Sequence, residues 1–216
     1  ETAELLERKE GMEADVITIG IQANAQFLPL YIAKEKNYIE DALSPYGISV
    51  VWNEYNTAIP LNRAINGGIC DMGIMGDVPA VLGASNYGKT NVVGITSHAP
   101  DNYVIVVKKN SEISSPADLL RKNVGTVYGS TAHLFLKTYL ENGGLSMEDI
   151  NLTDINVGNI LSYLEKDELD AVVCWEPHAA RTVGLGVGEY LAKGSDVGLF
   201  GGFLFVARKD YTEKKN

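Results

Sequence analysis

The sequence predicts an α/β protein made of two similar lobes, each a sheet covered by helices on both faces. Short apolar segments alternate with helical patterns along nearly the whole chain, and the alternation restarts after Lys109. Such alternation is typical of parallel strands that are buried on both faces. The 22 glycines, against 7 prolines, suit the tight turns between these elements. We therefore expect two three-layer α/β lobes joined by two crossover strands.

The first lobe is predicted at residues 14–102. Its strands are short apolar or β-branched runs, and its helices follow turns that carry polar residues. In chain order we predict strand Val16–Ile21, helix Phe27–Glu40, strand Ile48–Glu54, helix Ala58–Asn66, strand Met72–Met75, helix Val78–Tyr87 and strand Val92–Thr96.

A crossover strand is predicted at residues 103–108, where a β-branched run ends in two lysines. Ser115 and Pro116 then form a helix-start signal, because an N-cap residue precedes a first-turn proline. The second lobe is predicted at residues 109–202. Its elements are strand Val124–Tyr128, helix Ala132–Asn142, strand Asn151–Ile155, helix Asn159–Lys166, strand Ala171–Cys174 and a helix from about Pro177.

A return crossover is predicted within residues 203–216, which also begin the remainder of lobe one. Phe203–Ala207 is apolar and ends in charged residues, as the segment at 103–108 does. Two crossovers form a hinge, so we expect a ligand to favour closure of the lobes. The rest of lobe one is expected to lie beyond Asn216.

Charge and hydropathy argue against two classes of partner. The formal net charge of −10 and the pI near 4.8 disfavour nucleic acid and anionic membranes, because both require a basic patch. No apolar stretch approaches the ~18 residues of a membrane helix. Residues 1–8 lack the basic and apolar regions of a signal peptide.

Neither the cysteines nor the histidines form a reactive or metal-binding pattern. Cys70 and Cys174 are too few for a disulfide scaffold and are not spaced as zinc ligands. His98, His133 and His178 lack the spacing of a helical zinc pair. The sequence shows no nucleophile elbow, P-loop or dinucleotide-binding glycine motif. We therefore expect no catalytic residue, no metal and no cofactor.

Polar residues follow several predicted strands, and ligands of open α/β sheets bind beyond the carboxyl ends of the strands. The turn at 129–133 is the most informative, because Gly129 allows close approach to the backbone. Ser130 and Thr131 add hydroxyl donors to the free amides of a helix start, which favours a sulfonate, carboxylate, nitrate or phosphate. Ser130, Thr57 and Asp77 are also ordinary N-cap residues.

Three further residues have two interpretations each. Trp175 forms an apolar wall with one N–H donor, or it covers the core of lobe two. Glu176 and Asp77 cap helices, or they meet a cationic group of the ligand. The candidate ligand-binding residues are Gln22, Asn24, Gln26, Thr57, Gly76, Asp77, Ser97, Gly129, Ser130, Thr131, His133, Trp175 and Glu176.

Six short segments occur in a characteristic order over about residues 16–212. They are Ile17–Gly20, Pro29–Glu35, Gly67–Gly73, Gly76–Ala80, Gly129–His133 and Trp175–Pro177. In residues and order they resemble the sulfonate/nitrate/taurine-type solute-binding proteins of ABC importers. The stretch at 24–33 also resembles a related branch that binds thiamine-precursor pyrimidines.

The resemblance implies a type II periplasmic-binding-protein fold and a partnership with an ABC permease and its ATPase. It implies capture of a small anionic or zwitterionic solute, such as an alkanesulfonate, taurine or nitrate, in an interlobe cleft. We expect a monomer that is located in the periplasm or outside the cell. Attachment to the cell surface by a lipid anchor is an open alternative. Two alternatives remain: an enzyme on the same fold, such as a pyrimidine-precursor synthase, and a ligand-sensing domain.

Overall fold

The computed structural model describes residues 15–22 and 24–213, which form two compact units. Unit 1 contains the described residues up to Met75, Gly83–Gly94 and those from Leu204 onward, and unit 2 contains Gly76–Leu82 and Ile95–Phe203. The predicted α/β class is confirmed, since the described residues form two five-stranded sheets with helices. Residue 14, residues 214–216 and the segment considered for a signal peptide lie outside the described residues.

Strands and helices alternate along the described chain, with short 3-10 turns between several of them. In chain order the strands are β1 (Asp15–Gln22), β2 (Ile48–Tyr55), β3 (Met72–Gly76), β4 (Thr90–His98), β5 (Tyr103–Lys108), β6 (Asn123–Thr126), β7 (Asn151–Asp154), β8 (Ala171–Trp175), β9 (Gly188–Lys193) and β10 (Gly202–Arg208). The helices are α1 (Leu28–Glu35), α2 (Tyr38–Leu43), α3 (Ala58–Asn66), α4 (Asp77–Tyr87), α5 (Thr131–Asn142), α6 (Ile160–Glu165), α7 (His178–Gly184) and α8 (Lys209–Thr212).

The first sheet has the strand order β2-β1-β3-β10-β4. Strand β1 pairs in parallel with both β2 and β3, so the carboxyl ends of these three strands lie at one edge of the sheet. A Cβ added at Gly20 would lie 2.2 Å from Leu61 Cδ1. Glycine in the middle of β1 therefore makes room for the fully buried Leu61 of α3.

The second sheet has the order β7-β6-β8-β5-β9. Strand β6 pairs in parallel with β7 and β8, whereas β5 runs antiparallel to β8 and β9. The side chains of Val104, Val172 and Leu164 belong to the core beneath this sheet. Trp175 pairs with Tyr103, so the carboxyl end of β8 and the amino end of β5 share one edge.

The segments predicted as crossovers are thus strands of the two sheets. The segment at 103–108 lies inside the second sheet between β8 and β9, and β10, which contains 203–207, lies inside the first sheet between β3 and β4. The predicted lobe boundaries and the hinge stay predictions.

Two local predictions were wrong. The single helix predicted over 27–40 is two helices, because Asn37 adopts a left-handed conformation with φ of 55° and interrupts the helical hydrogen bonds. Strand β9 was missed, because its sequence carries no β-branched run; pairing with β5 stabilises it instead. Among the described helices, none combines the length and apolar character needed to cross a bilayer.

Candidate functional site

The carboxylate of Asp77 joins three segments of unit 2. Asp77 begins α4 directly after the carboxyl end of β3. Its Oδ1 accepts hydrogen bonds from the Val78 N–H at 2.8 Å and from the Thr131 hydroxyl at 2.7 Å. Its Oδ2 accepts one from the Gly202 N–H at 3.1 Å. Asp77 is therefore engaged by protein donors through both of its oxygens.

Tyr103 and Gly76 complete this buried cluster. Tyr103 is 4% exposed, and its ring stacks on Phe203 with centroids 5.9 Å apart. Burial raises the pKa of Tyr103, and the charge of Asp77 adds to the increase, although a hydrogen bond with Thr131 opposes it. A Cβ at Gly76 would lie 2.7 Å from Thr131 Oγ1 and 3.0 Å from the Tyr103 hydroxyl. The cluster thus requires glycine at position 76.

The first turn of α5 joins the same cluster through the side chain of Thr131. Ser130 is the N-cap: its hydroxyl accepts from the His133 N–H at 3.2 Å and donates to the Val127 carbonyl at 2.6 Å. The hydroxyl hydrogens of Ser130 and Thr131 are both donated to protein acceptors. The N–H groups of Thr131 and Ala132 precede the first hydrogen bond of the helix, which His133 makes. Backbone amides, rather than hydroxyls, are the donors that this turn leaves for an anion.

His133 is held as a neutral imidazole beside this turn. Gly129, with φ of 70°, donates its N–H to His133 Nδ1 at 3.2 Å. The His133 ring stacks on Tyr128 with centroids 5.2 Å apart. Burial lowers the pKa of His133, and the charge of Asp154 acts in the opposite direction. Because Nδ1 is the acceptor, the hydrogen of the neutral ring is on Nε2.

Both carboxylate oxygens of Glu176 accept hydrogen bonds within unit 2. Its Oε2 accepts from the Ala180 N–H in the first turn of α7 at 2.8 Å, and its Oε1 accepts from the Tyr190 hydroxyl at 2.7 Å. Burial and the hydrogen bond with Glu176 raise the pKa of Tyr190 to about 12. Trp175 is half-buried against the core, and its ring meets His178 edge-on with centroids 6.5 Å apart. The structure thus gives Glu176 a helix-capping contact.

Ser97 lies on β4 next to a residue that contacts the cluster. Its Oγ is buried and has no hydrogen-bond partner among the described residues. The neighbouring Thr96 donates its hydroxyl to the Phe203 carbonyl at 3.0 Å. Side chains alternate along a strand, so Ser97 faces away from that contact.

In unit 1, four candidate residues lie at or just after the carboxyl ends of β1 and β2: Gln22, Asn24, Gln26 and Thr57. Gln22 is buried, and its Nε2 donates to the Ile74 carbonyl at 2.7 Å, which links β1 to β3. Asn24 caps a 3-10 turn by accepting from the Gln26 N–H at 2.9 Å. Thr57 is the N-cap of α3 and makes no side-chain capping bond.

Within unit 2 the structure brings Gly76, Asp77 and Thr131 into contact, although they are distant in sequence. Tyr103 and Gly202 also belong to this cluster, and sequence reasoning missed both because it placed 103–108 in a crossover and position 202 at a lobe boundary. The Gly201–Gly202 pair before an apolar strand is the signal that could have drawn attention to position 202. Among the described residues, no group of three or more His, Cys, Asp or Glu side chains is arranged to hold a metal.

Two proteins of Escherichia coli K12 are among those that resemble this chain over most of its length. A putative aliphatic sulfonates-binding protein of Escherichia coli K12 is 28% identical over 200 residues, which are 93% of this chain and 61% of that protein. The taurine-binding periplasmic protein of the same organism is 25% identical over 201 residues, which are 92% of this chain and 60% of that protein. This chain therefore spans about three fifths of the length of these relatives.

Structural comparison agrees with the sequence comparison. The alkanesulfonate-binding protein SsuA of Xanthomonas axonopodis pv. citri, bound to MOPS, matches with a TM-score of 0.83 and 28% identity, over 94% of this chain and 68% of that one. This match confirms the predicted periplasmic-binding-protein fold. The model of the NMT1/THI5-like family matches residues 24–216, and the chain accordingly belongs to that family.

Proposed function

We propose that the protein is the extracytoplasmic solute-binding subunit of an ABC importer and that it captures a small organic anion, with a sulfonate as the preferred head group. The observation that carries this proposal is the first turn of α5, where the N–H groups of Thr131 and Ala132 precede the first hydrogen bond of the helix and the Thr131 side chain is held by Asp77. The names of the sulfonate-binding and taurine-binding relatives support the choice of head group.

The anion would lie at the helix start, because the N–H groups and the helix dipole both favour negative charge there. Thr131 and Ala132 are 1% and 0% exposed, so an anion would reach this position only after the covering residues move, and it would then be largely dehydrated. Low local polarity strengthens its attraction to the amides. Enclosure also means that entry and release require a change of conformation, which fits the hinge predicted from the sequence.

The cysteines do not favour an enzyme on the same fold. Both Cys70 and Cys174 are free and fully buried. Burial raises the pKa of Cys70 to about 11 and also raises that of Cys174, so both thiols stay protonated near neutral pH. A protonated, inaccessible thiol is a poor nucleophile. Solute binding without chemistry is therefore the function that we propose.

The test is the substitution Ser130→Asp, measured by calorimetric titration with methanesulfonate. Aspartate is a good N-cap, so the helix keeps its capping bond while a fixed negative charge is placed beside the proposed anion. We expect affinity to fall about tenfold or more, which is within the range of a helix-terminal charge effect.

The matched control is Asn110→Asp, which adds the same charge at the other end of β5. Asn110 has φ of 60°, which aspartate tolerates, and β5 runs antiparallel to β8, so the site edge is distant. This variant should bind methanesulfonate as the unchanged protein does. Equal affinities for the Ser130→Asp variant and the unchanged protein would refute the α5 site. Absence of binding to any sulfonate would refute the proposed solute class.

A further inference from the structure

Phe200 is an exposed aromatic side chain whose position is fixed by its neighbours. The residue is 51% exposed, and its ring lies against His98 with centroids 5.1 Å apart. A Cβ added at Gly202 would lie 2.3 Å from Phe200 Cε1, so the ring occupies the space beside the Gly202 backbone. An apolar surface of this kind is available to a ligand while its orientation stays defined.

The loop that carries Phe200 is anchored on both sides of the ring. The Leu199 N–H donates to the Gly194 carbonyl at 3.0 Å, and the Ala99 N–H donates to the Gly201 carbonyl at 3.0 Å. Gly201 has φ of 59°, and a Cβ there would lie 2.5 Å from Pro100 Cα. A preformed loop loses little conformational entropy when a ligand binds. The aromatic surface is therefore organised before any solute arrives.

The Asp77 carboxylate connects this surface to the proposed anion position. Gly202, which lies beneath the Phe200 ring, donates its N–H to Asp77 Oδ2, and the Thr131 hydroxyl donates to Asp77 Oδ1. The ring and the first turn of α5 are thus attached to the two oxygens of one carboxylate. The Phe200 ring is therefore separated from the first turn of α5 only by Gly202 and one carboxylate group.

The carboxylates in this unit do not favour a solute with an ammonium group. Sequence reasoning left Asp77 and Glu176 open as partners for the ammonium of a zwitterion. In the structure all four of their carboxylate oxygens accept hydrogen bonds from protein donors. Much of their acceptor capacity is therefore used within the protein, whereas an apolar tail only has to contact Phe200.

We infer that Phe200 is a specificity-determining residue, which contacts the apolar tail of the solute and makes the protein prefer alkanesulfonates with several carbons to taurine and to nitrate. The inference rests on the proposed function and adds the substrate class. Each buried methylene strengthens binding about fourfold. Nitrate has no tail, and the tail of taurine ends in a charge that would be poorly solvated against the ring.

The experiment is calorimetric titration of the full chain and of the Phe200→Ala variant with methanesulfonate, hexanesulfonate, taurine and nitrate. For the unchanged protein we expect hexanesulfonate to bind at least about tenfold more tightly than the other three, because burial of two or more methylenes is enough for that ratio. Phe200→Ala should reduce the preference for hexanesulfonate over methanesulfonate about tenfold while the affinity for methanesulfonate changes less than about twofold.

The control is Leu185→Ala, which removes another exposed apolar side chain of the same unit, 60% exposed, after α7. It should leave the hexanesulfonate preference unchanged. Sulfonate binding with a tail preference that survives Phe200→Ala would overturn the role of Phe200 alone. Tighter binding of taurine or nitrate than of hexanesulfonate would overturn the substrate class. A protein that binds no sulfonate would overturn both the inference and the proposed function.

Discussion

The Thr131 hydroxyl donates a 2.7 Å hydrogen bond to the Asp77 carboxylate and so joins the first turn of α5 to the first turn of α4. Thr131 is 1% exposed, so water cannot replace this bond without a rearrangement. The connection fixes the backbone amides that we propose as the anion-binding donors.

Thr131→Val should destabilise the protein by about 1–3 kcal/mol, because the substitution keeps the side-chain shape but removes a buried donor from a partly buried carboxylate. Urea unfolding followed by circular dichroism measures the free energy of unfolding. Thr131→Ser retains the hydroxyl and should be less destabilised than Thr131→Val. A Thr131→Val variant as stable as the unchanged protein would show that the bond contributes no net stability.

Gly20→Ala should destabilise the protein by about 1–3 kcal/mol, because the added methyl group would overlap the buried Leu61 side chain. Gly94→Ala on β4 is the matched control, since a Cβ there meets no atom within 4 Å. The thermal unfolding midpoint should fall for Gly20→Ala and stay nearly constant for Gly94→Ala. Equal midpoints for both variants would contradict the packing of α3 against β1.

The pKa of His133 should lie below 6.5 in the folded protein, because the ring is partly buried and its Nδ1 accepts the Gly129 N–H. In the unfolded chain the ring protonates at its ordinary value, so the unfolded state binds more protons as the pH falls below about 6.5. The His133 contribution to stability is thus present above that pH and is lost as the pH falls through the folded pKa. NMR titration of the imidazole signals, assigned with a His133→Asn variant, measures the value, and a pKa at or above 6.5 would contradict the neutral ring.

Cys70 should resist thiol reagents in the native protein at pH 8. Its side chain is fully buried, its Sγ lies 3.4 Å from the Thr18 carbonyl oxygen and 3.2 Å from that of Met72, and burial raises its pKa to about 11. In the unfolded chain the thiol ionises near its ordinary value, so its contribution to stability is complete below pH 9 and is lost as the pH rises through about 11. Colorimetric thiol titration should detect Cys70 only after denaturant is added; rapid labelling of the native protein would contradict its burial.

Local sequence signals predicted much of the fold. Helix α3 and strand β5 occur at the predicted bounds, Ala58–Asn66 and Tyr103–Lys108. A helical pattern flanked by capping residues and a run of β-branched residues each encode their conformation within a few positions. The break at Asn37 was not predicted, because asparagine adopts the left-handed conformation only in some contexts.

The site shows the same division between local and tertiary information. The sequence by itself determined that polar turns follow the carboxyl ends of parallel strands, since side-chain type and strand direction are local properties. It could not determine that Thr131 donates to Asp77, which is 54 residues away, or that Glu176 is engaged by Tyr190. It also gave no indication that Phe200 would lie over Gly202. Only the tertiary structure decided these contacts, because a hydrogen bond or a ring contact depends on the position of two atoms in space, and packing of the sheets and helices sets that position.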